Sequence, residues 1–272
     1  MSGIEWIQVE PGTAWLGDAR GALMHASNGP RHQVRIETTF EISKELITFQ
    51  QWRDLTRAPA AGTISDEAVN RLSPLMVMDL CEKLGDIRPP SEAEWALAMQ
   101  FGAIEQGPLK VELLADRAPR SGFWGAPCDG RPWAPPTHRG GVSDRTAHIT
   151  RVWNGARADR GATPREMSRP NMGFRLVRPV GVPNGRWYEG EAPTMPNAPH
   201  KSDLILREAV IALFVGVIPS FVWAFFNARD GYIAESWLNL VTGGVFVSAL
   251  TALLWRPKSA SWVLDGDKMR RS

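Results

Sequence analysis

Two long uncharged stretches dominate the hydrophobic pattern near the C-terminal end of the chain. Residues 209–228 and residues 236–255 are each twenty residues long and contain no charged side chain. At about 1.5 Å per residue, a helix of that length crosses the roughly 30 Å hydrocarbon layer of a bilayer. A soluble core helix of this length usually keeps a polar stripe. The pattern therefore predicts a transmembrane helical hairpin over residues 204–257.

Small residues recur at every fourth position within both uncharged stretches. In lipid, such ridges let helix backbones approach closely, because dispersion contacts and weak hydrogen bonds replace the hydrophobic effect. The connector is short, so we expect the two helices to lie side by side and antiparallel, as a membrane anchor. The same repeat leaves open a second interpretation, in which several hairpins associate into a pore. The small residues are Ala212, Gly216, Ser220, Ala224, Ala228, Gly244, Ser248 and Ala252.

The hydrophobic positions before residue 179 predict an irregular α+β domain over residues 1–178. Short alternating stretches favour strands, and longer periodic stretches favour helices. The predicted strands are Glu5–Val9, Ala14–Leu16, Gln33–Glu37 and Phe40–Ile42, and the predicted helices are Thr48–Leu55, Ser73–Leu84 and Ser91–Phe101. The last helix begins with a Ser-x-x-Glu capping box formed by Ser91 and Glu94. From about Pro108 onwards the domain shows little regular pattern.

Residues 179–203 separate the domain from the hairpin. They contain five prolines and three glycines and show no periodic apolar pattern. Such a composition is typical of a linker that is extended where proline dominates. We therefore predict a linker that holds the domain away from the membrane surface.

Charge around the hairpin predicts its orientation. The connector, residues 229–235, has one arginine against an aspartate and a glutamate, whereas residues 258–272 are basic. Lysine and arginine resist translocation, so residues 258–272 are expected to form a cytoplasmic tail, and two crossings return the chain to the side it left. The first residues lack a basic stretch followed by an apolar one, so no signal peptide is expected. We predict a multi-pass protein of the inner membrane with both termini in the cytoplasm.

Cysteine and arginine usage add two expectations. The two cysteines, Cys81 and Cys128, are too few for a disulfide framework, in agreement with a reducing compartment. The segment from Arg117 to Arg178 has twelve arginines, no lysines and four acids. We favour a structural role for these arginines as donors to loop carbonyls and carboxylates. An anionic lipid surface is a further partner for such a segment, whereas no aromatic motif indicates a specific nucleic acid.

Several motifs, in order along residues 5–179, resemble the sulfatase-modifying factor domain, the family of the formylglycine-generating enzyme. WLGDARG and PRHQVRIETTFEISKELITFQQW are similar to its N-terminal block, and SPLMVMDLCEKLG to the helix before its hallmark. RPPSEAEWALAM, residues 88–99, is close to that hallmark, Arg-Leu-Pro-Thr-Glu-Ala-Glu-Trp-Glu. FWG at 123–125, RGG at 139–141 and NMGFRLVRP at 171–179 resemble its Trp-Gly, Arg-Gly-Gly and closing Gly-Phe-Arg motifs.

The resemblance implies a fold, namely an irregular α+β domain with a C-type-lectin-like core. Within it, Gly173 permits a close approach before the final strand, and Arg175 braces buried loop carbonyls. Trp95 fills the core beneath the capped helix. These are scaffold roles, so they speak for the fold rather than for chemistry.

The sequence departs from the family where the family carries out its chemistry. The resemblance implies a copper-binding cysteine pair after Arg-Gly-Gly, but residues 142–150 contain no cysteine, and copper(I) prefers thiolates. The family's calcium-binding segment is also missing between Gly125 and Arg139. A relative of the family uses iron held by histidines, and the five histidines here have no close ligand spacing. We therefore expect no metal, no cofactor and no catalytic residue.

The leading interpretation is a membrane-anchored binding, scaffold or sensor protein with a degenerate domain. Lectin-like domains present ligands on loops, so we expect a protein or small-molecule ligand at Phe123–Trp133 and Arg139–Arg169. Trp124 and Trp153 are expected to pack in the core instead. Besides the pore-forming effector, a metal-dependent oxidoreductase rebuilt around Cys128, His138 and His148 stays open. The candidate ligand-binding residues are Trp133, His138, Arg139, Arg145, His148 and Arg157.

Overall fold

Strands and helices alternate irregularly along the domain, and two long helices follow it. The computed structural model describes residues 3–22, 28–57, 65–118, 122–134, 147–155, 157–181, 187–188, 190–256 and 258–272, and within these ranges the chain forms eleven strands and six α-helices. The mixed α+β character expected from the sequence is therefore confirmed.

The elements of the first hundred residues agree closely with the sequence pattern. The strands are β1 (Trp6–Val9), β2 (Gly12–Leu16), β3 (His32–Ile36) and β4 (Phe40–Ser43), and the helices are α1 (Phe49–Thr56), α2 (Pro74–Leu84) and α3 (Glu92–Gln100). Each helix begins at a hydroxyl cap, provided by Thr48, Ser73 and Ser91. The capping box is confirmed, since the Ser91 N–H donates to Glu94 at 2.7 Å and the Glu94 N–H donates to Ser91 at 3.1 Å.

Five further strands lie in the segment that showed little regular pattern. They are β5 (Val111–Arg117), β6 (His148–Asn154), β7 (Arg157–Thr163), β8 (Met172–Phe174) and β9 (Val177–Pro179). Pairing with neighbours defines these strands more than side-chain alternation does. β7 reads Arg-Ala-Asp-Arg-Gly-Ala-Thr, yet all seven of its residues pair with β6. Its charged and glycine residues have low strand preference, which is why the sequence pattern missed it.

The residues after the two long helices form a β-hairpin instead of the basic tail that we expected. This C-terminal hairpin consists of β10 (Trp262–Asp265) and β11 (Lys268–Arg271), which pair antiparallel. β10 joins the domain by a parallel pairing of Trp262 with His32, and Trp262 meets Trp124 edge-on at 6.1 Å. Because β10 and β3 share a sheet, the domain and this hairpin lie on the same side of any bilayer that the helices cross.

The strands form three small sheets. Their orders are β1–β4–β9, β11–β10–β3–β2 and β7–β6–β5–β8, with β5 and β8 parallel. α3 packs against β2 and β3 over a core that includes Phe40, Trp95 and Leu97. A second apolar cluster beside α2 includes Leu113 and Phe174.

The second half of the expected linker packs on the domain. We call residues 187–188 and 190–196 the strap. The Trp187 indole N–H donates to the backbone just after α2 at 3.0 Å, and the Tyr188 hydroxyl donates to Glu94 at 2.8 Å. Met195 is buried at 2% exposure. Proline content suggested a free linker, but three apolar side chains at this spacing fasten the segment to the domain, so the domain extends beyond the predicted boundary at residue 178.

Two helices that are long and apolar enough to cross a membrane follow the strap. The first runs from Lys201 to Asn227 and the second from Tyr232 to Leu254. The first comprises α4 (Lys201–Ile211), a π-helical stretch (Ala212–Val217) and α5 (Ile218–Asn227), and the second is α6 (Tyr232–Leu254). Each predicted span lies within one of these helices except for its last residue, Ala228 or Trp255. Large apolar side chains such as Phe226 and Leu254 are exposed on the outer faces, which suits contact with lipid.

The two long helices touch through their small residues, as predicted. A Cβ atom added at Gly216 would lie 1.9 Å from the Gly244 carbonyl oxygen, and one added at Gly244 would lie 2.7 Å from Val217. The repeat is therefore used inside a single hairpin. The small residues buried between the helices are Gly216, Ala224, Gly244, Ser248 and Ala252.

Candidate ligand-binding cleft

The residues predicted to bind a ligand are not gathered in one place. Trp133 is a core residue at 8% exposure, and it stacks on Phe123 with 6.3 Å between ring centroids. His148 begins β6 and is buried, whereas Arg157 begins β7 and is exposed. The strand register puts these two residues at opposite ends of the β6–β7 pair. Outside the described residues lie His138, Arg139 and Arg145.

A buried glutamate at the centre of the domain is fully occupied by neighbouring donors. Glu112, at 1% exposure, accepts from the indole N–H groups of Trp95 at 3.0 Å and Trp153 at 2.9 Å. It also pairs with the Arg175 guanidinium at 3.1 Å. Trp153 is thus a core residue, as expected. A buried carboxylate with three donors is satisfied where it stands, so Glu112 cross-braces the sheets.

Two glutamates at the start of α3 are held in the same way. Glu94 accepts from both terminal nitrogens of Arg88, each at 2.8 Å. Glu92 pairs with Arg151 at 2.7 Å and with Arg160 at 3.1 Å. All three glutamates are buried, with Glu92 the most exposed at 2%. The structural role predicted for the arginines of the basic segment is therefore confirmed at Arg151 and Arg160.

Asp116 and His32 are buried ionisable groups beside the Glu92 pairs. Asp116 accepts backbone N–H groups of Glu92 at 2.6 Å and Trp133 at 2.8 Å. Burial, and then the charge of Glu92, raise the pKa of Asp116 to about 7. Burial lowers the pKa of His32 to about 4, and its Nε2 has no partner among the described residues. A cavity of about 10 Å³ borders both side chains, with room for about one water.

The described residues contain no assembled nucleophile or metal site. Cys81 and Cys128 are at 5% and 0% exposure, and burial raises the pKa of each thiol to about 12. Both stay protonated, and a protonated thiol is a poor nucleophile. Burial, and then the charge of Arg117, lower the pKa of His148. Within the described ranges, no group of three or more His, Cys, Asp or Glu side chains could hold a metal ion.

A cleft of about 210 Å³ lies where the domain, the strap and the C-terminal hairpin meet. β3 supplies Arg35, the connection from β3 to β4 supplies Thr38, the strap supplies Trp187 and Tyr188, and the turn between β10 and β11 supplies Asp267. The volume is below the roughly 300–1,000 Å³ of pockets for drug-sized ligands. The cleft therefore suits one side chain or a similarly small molecule.

Carboxylates dominate the charge of the cleft. Asp129 is occupied by Arg131 at 2.7 Å. Glu191 and Asp267 form no ion pair or hydrogen bond with another residue of the described ranges. Only one basic side chain, Arg35, is among the described lining residues. The lining carboxylates are Glu37, Asp129, Glu191 and Asp267.

The two strap aromatics form one wall of the cleft. Trp187 and Tyr188 stack with 6.3 Å between ring centroids. The Arg88 guanidinium lies 4.3 Å from the Trp187 ring centroid, and that of Arg131 lies 5.5 Å from the Tyr188 centroid. Burial, and then the negative charge of Glu94, hold the pKa of Tyr188 well above its ordinary value. Tyr188 is therefore a neutral hydrogen-bond donor that fixes the wall to α3.

Sequence reasoning missed the cleft because its walls come from three separate stretches of chain. The end of β3 was predicted as a strand, but the other two walls were interpreted as a linker and a tail. A usable signal was the adjacent pair Trp187 and Tyr188 inside a proline-rich segment, since large aromatics bury area when they find a partner surface. The strand pattern Trp-Val-Leu-Asp at residues 262–265 was a second signal.

Comparison with known proteins gives likenesses in structure alone. No protein-family model matches the chain, and no curated protein matches it. PvdO from Pseudomonas aeruginosa is 15% identical with a TM-score of 0.48, covering 65% of this chain and 95% of PvdO. Variable protein 1 of Treponema denticola is 14% identical with a TM-score of 0.39, covering 64% and 95%. CarF is 14% identical with a TM-score of 0.40, covering 66% and 100%.

Proposed function

We propose that this chain is a membrane-anchored binding protein, acting as a scaffold or sensor, whose domain has no catalytic role. The observation that carries the proposal is the composition of the cleft walls. Asp267, from the segment that follows the second long helix, lines the same cleft as Thr38 of the domain and Trp187 of the strap. A ligand seated there contacts the domain and the chain that leads to the anchor, so binding is physically linked to the membrane helices.

We further infer that the domain is of the sulfatase-modifying-factor type with a C-type-lectin-like core. The motif residues perform the scaffold roles that the resemblance implies. A Cβ atom added at Gly173 would meet a leucine side chain at 2.9 Å. Arg175, at 1% exposure, donates to three backbone carbonyls, those of Ser43 at the end of β4 and of Lys44 and Glu105 in loops. Trp95 is buried at 5% exposure. These contacts support the assignment.

The state of the ionisable groups favours binding over chemistry. A rebuilt oxidoreductase site around Cys128 needs a thiol that reaches substrate. Cys128 borders the cleft, but it is at 0% exposure and burial raises the pKa of its thiol. The core carboxylates are occupied by arginines and indoles, as described for Glu112. In contrast, the cleft is open, and its carboxylates Glu191 and Asp267 have no ion pair among the described residues. The domain therefore offers a place to bind a ligand more readily than groups to transform one.

We propose that both long helices cross the inner membrane, with the domain and the C-terminal hairpin in the cytoplasm. Arg256 pairs with Glu208 at 2.9 Å, which joins the two helices at the end that carries the domain. Lys258, Lys268 and Arg271 follow on the same side and favour the cytoplasmic face. Anionic lipid headgroups are a second partner for these basic side chains.

Photo-crosslinking in the native membrane tests the binding role. The full chain carries p-benzoylphenylalanine in place of Asp267, and the matched control carries it in place of Glu166, an exposed carboxylate outside the cleft. On irradiation we expect a defined adduct, a protein or a small-molecule mass, from position 267 and not from position 166. Equal adduct patterns at the two positions, or none at position 267, would contradict a binding role for the cleft.

A further inference from the structure

We propose that the cleft binds a guanidinium group, an inference that rests on the binding function proposed above. The first reason is the balance of charge. Glu191 and Asp267 are exposed and have no ion pair among the described residues. Glu37 lies 3.9 Å from Arg35, with both side chains well exposed, a pair that contributes little. A cationic group entering the cleft therefore meets negative charge that the fold does not use.

The second reason is the aromatic wall. A guanidinium is planar and weakly hydrated, so it stacks on aromatic faces. The fold already brings Arg88 to within 4.3 Å of the Trp187 ring centroid and Arg131 to within 5.5 Å of that of Tyr188. Both rings also border the cleft. The wall is thus a surface on which guanidinium groups already pack within this protein.

Size and donor number favour guanidinium over a simple ammonium group. The cleft volume of about 210 Å³ accepts one side chain rather than a larger ligand. A guanidinium offers five N–H donors in a plane, whereas an ammonium offers three around a point. The acceptors lie on separate walls, with Glu37 on the domain, Glu191 on the strap and Asp267 on the C-terminal hairpin. A planar group with several donors can serve more than one wall at once.

Calorimetry on the full chain in lipid nanodiscs tests the inference with two probes. One is N-acetyl-arginine amide, and the other is a short peptide with a single arginine. The citrulline versions are the matched neutral controls, since citrulline keeps the shape and loses the charge. We expect both arginine probes to bind and the citrulline versions to bind at least about tenfold more weakly. Equal affinity for the arginine and citrulline versions would overturn the inference.

A pair of variants locates the binding site. The double variant Glu191→Gln and Asp267→Asn neutralises the unpaired carboxylates, and Glu166→Gln removes an exposed carboxylate outside the cleft. We expect the double variant to lose at least about tenfold in affinity for the arginine peptide and Glu166→Gln to lose none. Unchanged affinity in the double variant would place any arginine binding elsewhere and sink the inference.

The two probes also distinguish two sources of the guanidinium group. Together with the crosslink at position 267, they test the guanidinium inference separately from the proposed binding function. Equal affinity for the amide and the peptide is the result expected for a small-molecule ligand, and much tighter peptide binding is the result expected for a partner's arginine side chain. Both results support a guanidinium site. If neither probe binds while the crosslink at position 267 persists, the binding function stands and the guanidinium inference is wrong. If the crosslink is absent as well, both are wrong.

Discussion

The buried carboxylates of the core and the exposed carboxylates of the cleft are the same chemical group in two different environments. Glu112 is at 1% exposure and meets two indole N–H groups and a guanidinium. Glu191 and Asp267 are exposed and meet no charged partner among the described residues. Burying a charge is costly unless donors surround it. The core carboxylates therefore serve the fold, whereas those of the cleft are free to meet a ligand.

Removing a carboxylate from the core should have the largest effect. Glu112→Gln leaves Arg175 buried without its counter-charge, and we expect a loss of about 3–5 kcal/mol in the free energy of unfolding. The control is Glu5→Gln, which breaks an exposed pair with Lys44 at 2.9 Å and should cost less than about 1 kcal/mol. Unfolding of the full chain in nanodiscs, followed by tryptophan fluorescence, gives both values. Similar losses in the two variants would remove the distinction between core and surface carboxylates.

The strap belongs neither to the core nor to the open cleft. We therefore expect the loss of its hydroxyl contact to have an intermediate effect on the free energy of unfolding. Tyr188→Phe removes the hydrogen bond of 2.8 Å to Glu94, and we expect it to cost about 1.5–3 kcal/mol of the unfolding free energy. The control is Tyr232→Phe at the start of α6, the chain's other tyrosine. The same fluorescence experiment applies. If Tyr188→Phe is as stable as the native chain, the strap is a free linker after all.

A similar contrast is seen where the two long helices meet. Gly216 of the first helix packs against Gly244 of α6, whereas the neighbouring Gly243 faces open space. Gly216→Ala would push a methyl group into the Gly244 backbone, whereas Gly243 has nothing within 4 Å of an added Cβ. We expect Gly216→Ala to destabilise the hairpin by about 1–3 kcal/mol and Gly243→Ala to leave it unchanged. Helix loss on titration with a denaturing detergent, followed by circular dichroism, measures both. Equal behaviour would mean that the helices do not touch along this line.

Asp116 and His32 give opposite pH dependences of stability over the same range. The folded pKa of Asp116 is about 7 against an ordinary 3.8, so the folded state holds the extra proton and stability falls as pH rises between those values. The folded pKa of His32 is about 4 against 6.5, so the unfolded state holds the extra proton and stability rises over that window. The two contributions oppose each other between about pH 4 and 6.5.

Asp116→Asn should expose the histidine contribution. We expect its unfolding free energy to rise with pH more steeply than that of the native chain between about pH 4 and 6.5, by up to about 1.4 kcal/mol per pH unit. Asp54→Asn, on the exposed side of α1, is the control and should keep the native slope. Parallel curves for the native chain and Asp116→Asn would show that Asp116 is ionised throughout that window.

Local patterns predicted much of the first half of the domain. The strands up to Phe40 and the three capped helices follow from alternation and from hydroxyl caps such as Ser91, because these signals lie within a few residues of the element they define. The small-residue contact at Gly216 and Gly244 could be predicted for the same reason. The cross-bracing arginines were predicted as a class, although the partner of Arg160, sixty-eight residues away, could not be identified from spacing.

The cleft depends on long-range contacts, which a single sequence does not encode in any local pattern. β7 exists because β6 lies beside it, and β10 joins β3 across more than two hundred residues. Trp187 and Asp267 border the same cleft only because the strap and the C-terminal hairpin both fold back onto the domain. Trp133 was predicted as a surface contact because lectin-like domains present ligands on the loops where it lies, yet stacking on Phe123 buries it.

The most direct test of the account measures stability and ligand affinity on the same preparations of the cleft double variant, Glu191→Gln with Asp267→Asn. We expect the unfolding free energy to stay within about 0.5 kcal/mol of that of the native chain, while affinity for the arginine peptide falls at least about tenfold. Stability that falls together with affinity would mean that these carboxylates serve the fold. Affinity that does not change would mean that the cleft is not where the ligand binds.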